Sequence, residues 1–563
     1  MSHYSLGLNF SHDTSACLIK DGKIYAAEEE RWSGIKHNIE LASLTSFSKK
    51  DFFLFPYKSL KYCLQEAKVS LGGIDIIIGV SVHPKHRLGD NDDVLLKYLP
   101  KTIKNKIKFI SHHQAHVLSG YYLTNFDPAI GLCIDGTGSM LGLGFNQLER
   151  ISGFYIEDEK INRIYHLSQT YDTRNKFKKI NCSLGSFYGN FAIRTVAPGD
   201  EPSGTMMAMA ALDSGKKFYS EVKNLIELKD NGLICIKNNL GSKLGTEDIY
   251  IGGIKWSPQS VCNIPFDIRC ALASAVQKVF EETVLHIAIY LKKITGCKNL
   301  IFSGGCALNS QLNGKLLKSG QFINVYVPPA PNDAGTAVGA ALYGWCSVLK
   351  NKRPKQPHCP DWGPRIGRIN IKPIKNKGYL VKRFNKFQQV AKEAAILLSE
   401  KKVIFLACGN MEFGPRALGH RSILAHPGDI LLRDRVNEMK KRAYFRPLAP
   451  SIVENKFKYW FDGDADYYMN KVAYVKKPKK EIIKGVVHND NSARVQLVSR
   501  DNYELYGILK EFCRITNIPI LLNTSLNFKG KPIARSSQDA FGIFEELKPD
   551  ALILDNILII KND

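Results

Sequence analysis

The amino-acid sequence predicts a two-domain α/β protein, and three observations carry that expectation. At 563 residues the chain is too long to close around a single core. Both halves hold short apolar runs tied to glycine turns and amphipathic helices, as in "NLIFSGG" before "CALNSQLNGKLL" and "VIFLACG" after "FNKFQQVAKEAAILLSEKK". Between the halves the pattern lapses into "KNKRPKQPHCPDWGPRIGR", rich in proline and basic residues, which reads as a linker. The expected organisation is a first domain over 1–345, a linker over 346–378 and a second domain over 379–563.

The elements follow in order. "YSLGLNF", the polar turn "SHDTS", "ACLIK" and "KIYAAEEE" read as strands, with Asp21-Gly22 a strong hairpin turn between the last two. "KIKFI" (Lys106 to Ile110) is strand-like and runs into "SHHQAHVLSG", a half-buried helix in which His112 and His116 share one face while His113 points elsewhere. By spacing alone this pair fits a shared cation and also fits a capped helix with solvated imidazoles. "AIGLCIDGTGS" is a strand ending in a glycine-rich turn, followed by strands in "GLGFNQ" and "ISGFYIED". Cys270 to Gly296 carries a helical apolar period, with Gly296 as its stop. "PPAPNDAGTAVGAAL" is a Pro-rich turn feeding a helix of small residues, and no solenoid-type repeat is present.

Composition bounds the function. With 44% hydrophobic and 23% charged residues the chain reads as a soluble globular protein. The start "MSHYSLGLNFSHD" does not read as a signal peptide, and apolar runs such as "IDIIIGV" and "ALILDNILII" are far shorter than a membrane span, so a cytoplasmic protein with no membrane partner is expected. Thirteen scattered cysteines without a Cys-x-x-Cys pair fit reduced core thiols rather than a disulfide frame or a zinc ribbon. Seventy-eight Lys and Arg against 53 Asp and Glu leave a net charge of +25, which favours polyanionic partners, although an AT-rich genome also yields a Lys-rich chain. Basic clusters stand at "KTIKNKIK", "RNKFKK", "KNKRPK" and "KKPKK", each by itself an ordinary solvated face.

Three turns of small and polar residues, "NFSHDTS" at 9–15, "IDGTGS" at 134–139 and "FSGGCALN" at 302–309, bring backbone N–H groups and hydroxyls to strand ends. Together they resemble the phosphate and adenosine loops of the actin-like ATPase fold, a duplicated ribonuclease H-like architecture. His112 and His116 with Asp135 and Asp333 resemble the metal site of the tRNA threonylcarbamoyl-transfer enzymes of that superfamily. The resemblance implies a divalent ion, Fe(II) or Zn(II) by donor type with Fe(II) favoured, and Mg2+ accompanying ATP.

The C-terminal blocks "MEFGPRALGHRSILAHP", "YFRPLAPSI", "ARVQLV" and "LLNTSLNFKGKPI", with "SHDTSACLI" and "AEEERWSGIKH" near the N-terminus, closely resemble the signature blocks of the nodulation-type O-carbamoyltransferases. Arg416, Arg446 and Arg494 stand in apolar or tightly turned contexts where guanidinium forks suit an anion, although each singly also fits a structural ion pair. The resemblance implies a YrdC-like second domain holding carbamoyl phosphate on Arg416, Arg446, Arg494 and Asn523, with Lys36 reaching across from the first domain. It further implies that carbamoyl phosphate is cleaved, that carbamate and ATP give carbamoyladenylate, and that an acceptor hydroxyl takes the carbamoyl group at the metal site. Gly136, Thr137, Gly138, Gly304, Gly305 and Asn309 would line the nucleotide, and His12 is the candidate general base. One block departs: "GTMMAMA" has Thr205 and Ala208 where relatives read Lys and Gly, and His420 replaces a frequent Asn.

The favoured acceptor is a hydroxymethylated base, 5-hydroxymethylcytosine, in DNA, because the charge suits a polyanion. A small-molecule hydroxyl of antibiotic, sugar or nodulation-factor type is the alternative, and tRNA threonylcarbamoyl transfer a more remote one. A sugar or acetate kinase would leave the arginine blocks unexplained, and a non-catalytic nucleic-acid-binding protein would not need the His/Asp quartet. Self-association is left open by the sequence.

Overall fold

The computed structural model describes residues 2–38, 55–82, 87–88, 99–141, 147–170, 182–237, 240 and 248–561. The chain divides into two compact units, Met1–Glu29 with His37–Gln356, and Glu30–Lys36 with Pro357–Asp563. The change at 356/357 falls inside the Pro-rich stretch. The short segment Glu30–Lys36 packs with the second unit although it lies within the first by sequence.

The first unit opens with strands β1 (Tyr4–Asn9), β2 (Ser15–Lys20) and β3 (Lys23–Glu28). Asp21 and Gly22 have φ of 48° and 81°, the two positive values that a type I′ hairpin turn requires. Strands β4 (Ile76–Val80) and β5 (Ile107–Phe109) complete a sheet of order β3-β2-β1-β4-β5, in which β1 pairs antiparallel with β2 and parallel with β4. Helix α1 (His112–Tyr121) follows at once.

A second sheet repeats the plan with β6 (Ala129–Ile134), β7 (Gln147–Glu157), β8 (Lys160–Thr170), β9 (Asn299–Ser303) and β10 (Asn324–Tyr326). Here β6 pairs antiparallel with β7 and parallel with β9, β7 pairs antiparallel with β8, and β9 pairs parallel with β10. Three antiparallel strands followed by two parallel ones, twice in one unit, is the duplicated ribonuclease H-like arrangement of the actin-like ATPase fold. The helix expected over Cys270 to Gly296 is α2 (Phe266–Thr295), closed by Gly296 at φ 70°. Of the expected strand "GLGFNQ", residues 142–146 lie outside the described residues, as does the basic cluster at 174–179.

Small residues set the layering. In helix α3 (Gly335–Leu342) a Cβ on Gly339 would stand 1.9 Å from the Ala115 carbonyl oxygen, and one on Gly7 of β1 would stand 2.0 Å from that of Ala337. Glycine therefore lets α3 lie backbone to backbone against both β1 and α1. That contact brings the turn before α3 beside the histidine helix.

The second unit is built on an eight-stranded mixed sheet in the order Leu380–Arg383, Ile557–Ile560, Ala551–Leu554, Ile404–Ala407, Arg421–Ala425, Ile520–Ser525, Ala449–Val453 and Gln496–Val498. Alternation along Ile404–Ala407 sends Ile404 and Leu406 to one face, under the helices Phe387–Ser399 and Tyr503–Thr516. Phe405 and Ala407 face the other side, where Phe544, Trp460 and Val486 complete the core.

Candidate active site

Ser111 caps α1, its hydroxyl accepting from Gln114 N at 3.2 Å, and the helix carries its histidines inward so that His112, His113 and His116 are all fully buried. Burial removes the solvated-imidazole alternative. His112 Nε2 lies 3.0 Å from His116 Nε2, 3.2 Å from Asp135 Oδ2 and 3.4 Å from Asp333 Oδ1. His116 Nε2 lies 3.7 Å and 3.5 Å from the same two carboxylates. Bonds of about 2.1 Å to one ion place neighbouring ligand atoms about 3.0–3.4 Å apart. One ligand atom from each of these four buried side chains lies within 4.8 Å of the others, a spacing and donor set that fit a divalent ion.

A group the sequence did not reveal stands behind this quartet. Glu149, fully buried on β7, accepts from the Ser111 hydroxyl at 2.5 Å, Ser139 N at 3.0 Å and Arg163 Nη2 at 2.6 Å. Ser139 Oγ in turn accepts from His112 N at 3.0 Å. One carboxylate thus fixes the first turn of α1, where the helix dipole also favours negative charge. Burial pushes the Glu149 carboxyl up, and His113, Arg163 and Ser111 outweigh it to hold the group lowered. His113 faces away from the quartet, its Nδ1 2.8 Å from Ser152 Oγ, and burial pulls its imidazole down to about 3.

His12 lies at the rim, half-exposed, with Nδ1 3.4 Å from Asp333 Oδ2 and Nε2 3.9 Å from Asp13 Oδ2. Burial pulls its pKa down, but Asp333, Asp13 and Asp135 outweigh that and the net shift is upward. Asn9 joins the two turns, its Nδ2 donating to the main-chain oxygens of Asp13 at 2.8 Å and Asp333 at 3.0 Å. Asp13 is further engaged by His37 Nδ1 at 2.7 Å and Asn332 Nδ2 at 2.7 Å. The family block "AEEERWSGIKH" contained His37 but no pattern marked it.

The expected nucleotide residues fall in two settings. Gly304 has φ 92°, and a Cβ there would meet the Ile134 carbonyl at 2.4 Å, while Gly305 N donates to Asp135 Oδ1 at 3.0 Å. Asn309 caps the following helix through Leu312 N at 3.1 Å and exchanges hydrogen bonds with Gln277 at 2.9 and 3.1 Å. Arg150 donates to the Gly136 carbonyl and the Thr137 hydroxyl, and Gly138 packs tightly on His113 and Glu149. Thr205 and Ala208 are buried on the helix Pro202–Ala210, and the Thr205 hydroxyl has no hydrogen-bond partner among the described residues.

The second unit gathers cations. The pKa of Arg494 is held well below its usual range by burial first and then by Arg416, Arg442 and Arg446. Lys440 is lowered in the same way, by burial and then by Arg442, Arg446 and Lys36. Five of these six cations lie in the Pro357–Asp563 body, and Lys36 belongs to the segment that packs with it. Lys440 and Arg442 were missed: they stand just before the block that starts at Tyr444 and read as a solvated charge run. Lys440 Nζ donates to the Ser525 carbonyl and to Asn527 Oδ1, the latter at 2.7 Å, and Arg442 Nη1 donates to Thr524 Oγ1 at 3.3 Å. Asn523 is 1% exposed, its amide donating to Ala417 O at 3.3 Å, Ser451 Oγ at 3.0 Å and Gln496 Oε1 at 2.9 Å. Arg421 offers the contrast of a structural arginine, its Nη1 donating to the carbonyls of Cys408 and His420 at 2.7 and 2.9 Å. No such partner meets Arg494 among the described residues.

Proton linkage makes the quartet testable. Burial pulls the His112 imidazole down, but Asp333 and Asp135 outweigh it and push it up to about 10 without an ion. A folded pKa above the ordinary 6.5 contributes stability that is complete below about pH 6.5 and lost as pH rises through about 10. Ion binding has the opposite sign, because the proton on His112 must leave first. Near neutral pH, titration of the ion-free protein with Fe(II) or Zn(II) is expected to release about one proton per ion. Apparent affinity should then rise with pH toward about 10. Calorimetry in buffers of differing ionisation heat measures the release, and proton-neutral binding would contradict the quartet as ligands.

Comparisons with known proteins bear on the family of the chain. A family model described as carbamoyltransferase N-terminus matches residues 84–342, and one described as carbamoyltransferase C-terminus matches residues 395–561. The chain is 31% identical to nodulation protein NolNO of Sinorhizobium fredii, over 98% of this chain and 79% of that protein. It is 30% identical to nodulation protein U of the same organism, over 93% of this chain and 94% of that protein. The solved structure of full-length HypF in its phosphate- and nucleotide-bound form overlaps at a TM-score of 0.34 and 16% identity over 62% of this chain and 56% of that one, too little to add to the topology.

Proposed function

Because the chain belongs to the carbamoyltransferase family, we propose that it makes carbamoyladenylate from carbamoyl phosphate and ATP and transfers the carbamoyl group to an acceptor hydroxyl. The observation that carries this reading is the cationic nest of the second unit, where burial and the charges of Arg416, Arg442 and Arg446 all disfavour the Arg494 guanidinium and no carboxylate offsets them. Such a nest is costly unless an anion occupies it, and a guanidinium fork matches a phosphate with two parallel hydrogen bonds.

Carbamoyl phosphate would be held there by Arg416, Arg446 and Arg494, joined by Lys36, Lys440 and Arg442. Asn523 would position the Arg416 loop through its bond to Ala417. Water cleaves the bond between the carbonyl carbon and the phosphate ester oxygen, giving carbamate and phosphate. The carbamate oxygen would then attack the α-phosphate of ATP and pyrophosphate would leave, Mg2+ accompanying the nucleotide. Carbamate is a poor electrophile, and its mixed anhydride with AMP supplies a good leaving group. At the first unit's site the acceptor oxygen bonds to the carbonyl carbon, AMP departs, and His12 takes the acceptor's proton. Gly304, Gly305 and the turn at Gly136 to Gly138 would let the nucleotide come close to the main chain, the N–H groups of Gly304, Gly305 and Gly138 being already used within the fold. His112, His116, Asp135 and Asp333 would hold a divalent ion, Fe(II) in this reading, which would neutralise charge on the adenylate phosphate.

The acceptor we favour is 5-hydroxymethylcytosine in DNA, supported by the net charge of +25, since each phosphate neutralised by Lys or Arg releases counterions and strengthens association. A reducing, cytoplasmic setting is supported by the thirteen free thiols. Mass spectrometry after incubation with ATP and carbamoyl phosphate tests the reading. One added carbamoyl group is expected on hydroxymethylated DNA. Transfer to a free sugar or polyketide hydroxyl instead would keep carbamoyl transfer and move the acceptor, and pyrophosphate release independent of carbamoyl phosphate would overturn the reaction.

A further inference from the structure

Two segments of the second unit, separate in sequence, meet on one exposed face. The short helix Phe457–Trp460 presents Lys458 and Tyr459, and the turn Lys477–Lys479 with its neighbours presents Lys476, Lys477, Lys479 and Lys480. The main chain joins them, Lys476 N donating to Trp460 O at 3.1 Å. The side chains are pinned as well. Lys476 Nζ donates to Lys458 O at 2.6 Å, and Lys479 Nζ lies 4.1 Å over the Tyr459 ring and donates to its hydroxyl at 2.9 Å.

Phe457 and Trp460 of this helix belong to the core while Tyr459 is 62% exposed, so the Tyr459 ring is held at the surface beside Lys479. Lys476 Nζ stands 3.8 Å from Asp462 Oδ1, and no carboxylate pairs with Lys458, Lys477, Lys479 or Lys480 among the described residues. An ordinary solvated charge run lets its ammonium groups spread apart. Here Lys476 and Lys479 are held against Lys458 and Tyr459, so for these two less side-chain freedom is lost when an anion arrives.

We infer that this lysine and tyrosine face docks the phosphate backbone of a nucleic acid, duplex DNA in particular. The inference rests on the proposed DNA acceptor and assigns the surface that would hold it. Lysines make phosphate contacts that position without reading sequence, and the Tyr459 hydroxyl, accepting from Lys479, is free to donate its own proton to a phosphate oxygen. A membrane surface fits less well, since Ile482 is the one large exposed aliphatic side chain described over residues 476–484.

The test compares the wild type with K476Q/K477Q/K479Q/K480Q, four surface changes outside both proposed reaction sites. Binding to a hydroxymethylated duplex is followed by fluorescence anisotropy over a salt series, and transfer is assayed on the duplex and on free 5-hydroxymethyl-2′-deoxycytidine. The expected result is duplex binding at least about tenfold weaker at low salt, with the salt slope reduced by about 3. Transfer to the free nucleoside should be unchanged. If the wild type binds and modifies the duplex but the variant keeps its affinity and slope, the face is wrong and the DNA acceptor stands. If the wild type neither binds nor modifies the duplex, both ideas fall. Equal loss of transfer on duplex and nucleoside would make the lysines structural, and tighter binding to phosphatidylserine vesicles than to the duplex would replace nucleic acid by membrane.

Discussion

In the Asp333→Ala protein, bound metal is expected to fall to background and carbamoyl transfer to drop by about 10³-fold or more, while carbamoyl phosphate cleavage continues. Asp333 is the carboxylate that approaches both His112 and His116 within 3.5 Å and also touches His12. Removing it takes away a proposed ligand and the charge that most offsets burial at His112. The fold should survive, because the turn is held through the main chain of Asp333: its carbonyl accepts from Asn9 Nδ2 at 3.0 Å and Thr336 Oγ1 at 2.7 Å, and neither bond uses the side chain. Metal analysis beside separate assays of phosphate release and acceptor modification checks this. A metal-free variant with full transfer would remove the quartet from the reaction, and equal loss of both activities would point to misfolding.

Parts of this site were legible in the sequence because their physics is local. The Asp21-Gly22 turn needs only two positive φ values, and the His112/His116 pair needs only the 3.6-residue period of α1. Asp135 and Asp333 stand at the end of a strand and in a Pro-rich turn, which marks them as loop chemistry, but their meeting depends on glycines at 7 and 339 that let α3 approach β1 and α1. The doubling of the ribonuclease H-like plan was legible only through family resemblance, since strand order is a matter of long-range pairing. Glu149 was invisible because β7 alternates polar and apolar residues, and a glutamate there reads as solvent-facing. Its burial is decided by Ser111 and Arg163, 38 and 14 residues away. Lys440 escaped for a related reason: a lysine in "KKRAYF" after a helix has the pattern of a solvated end, and only its bonds to Ser525 and Asn527 show it turned inward.

Arg494→Met is expected to lose use of carbamoyl phosphate and yet to melt at a higher temperature than the wild type when no anion is present. The guanidinium is disfavoured by burial and then by Arg416, Arg442 and Arg446, and no carboxylate offsets it. A flexible apolar side chain of similar length removes that repulsion, as when a buried charge is exchanged for packing. Each kcal/mol of relief raises the midpoint by about 2–4 °C for a unit of this size. The same charge is what an anion binds, so the variant should lose about 1.5–3 kcal/mol of carbamoyl phosphate binding, roughly 10- to 150-fold. ATP binding at the first unit should be unchanged. Thermal scans with and without added phosphate distinguish the two effects: phosphate should raise the wild-type midpoint clearly and the variant's little. A variant that melts lower than the wild type without phosphate, or that gains as much from phosphate, would show that Arg494 holds the fold rather than an anion.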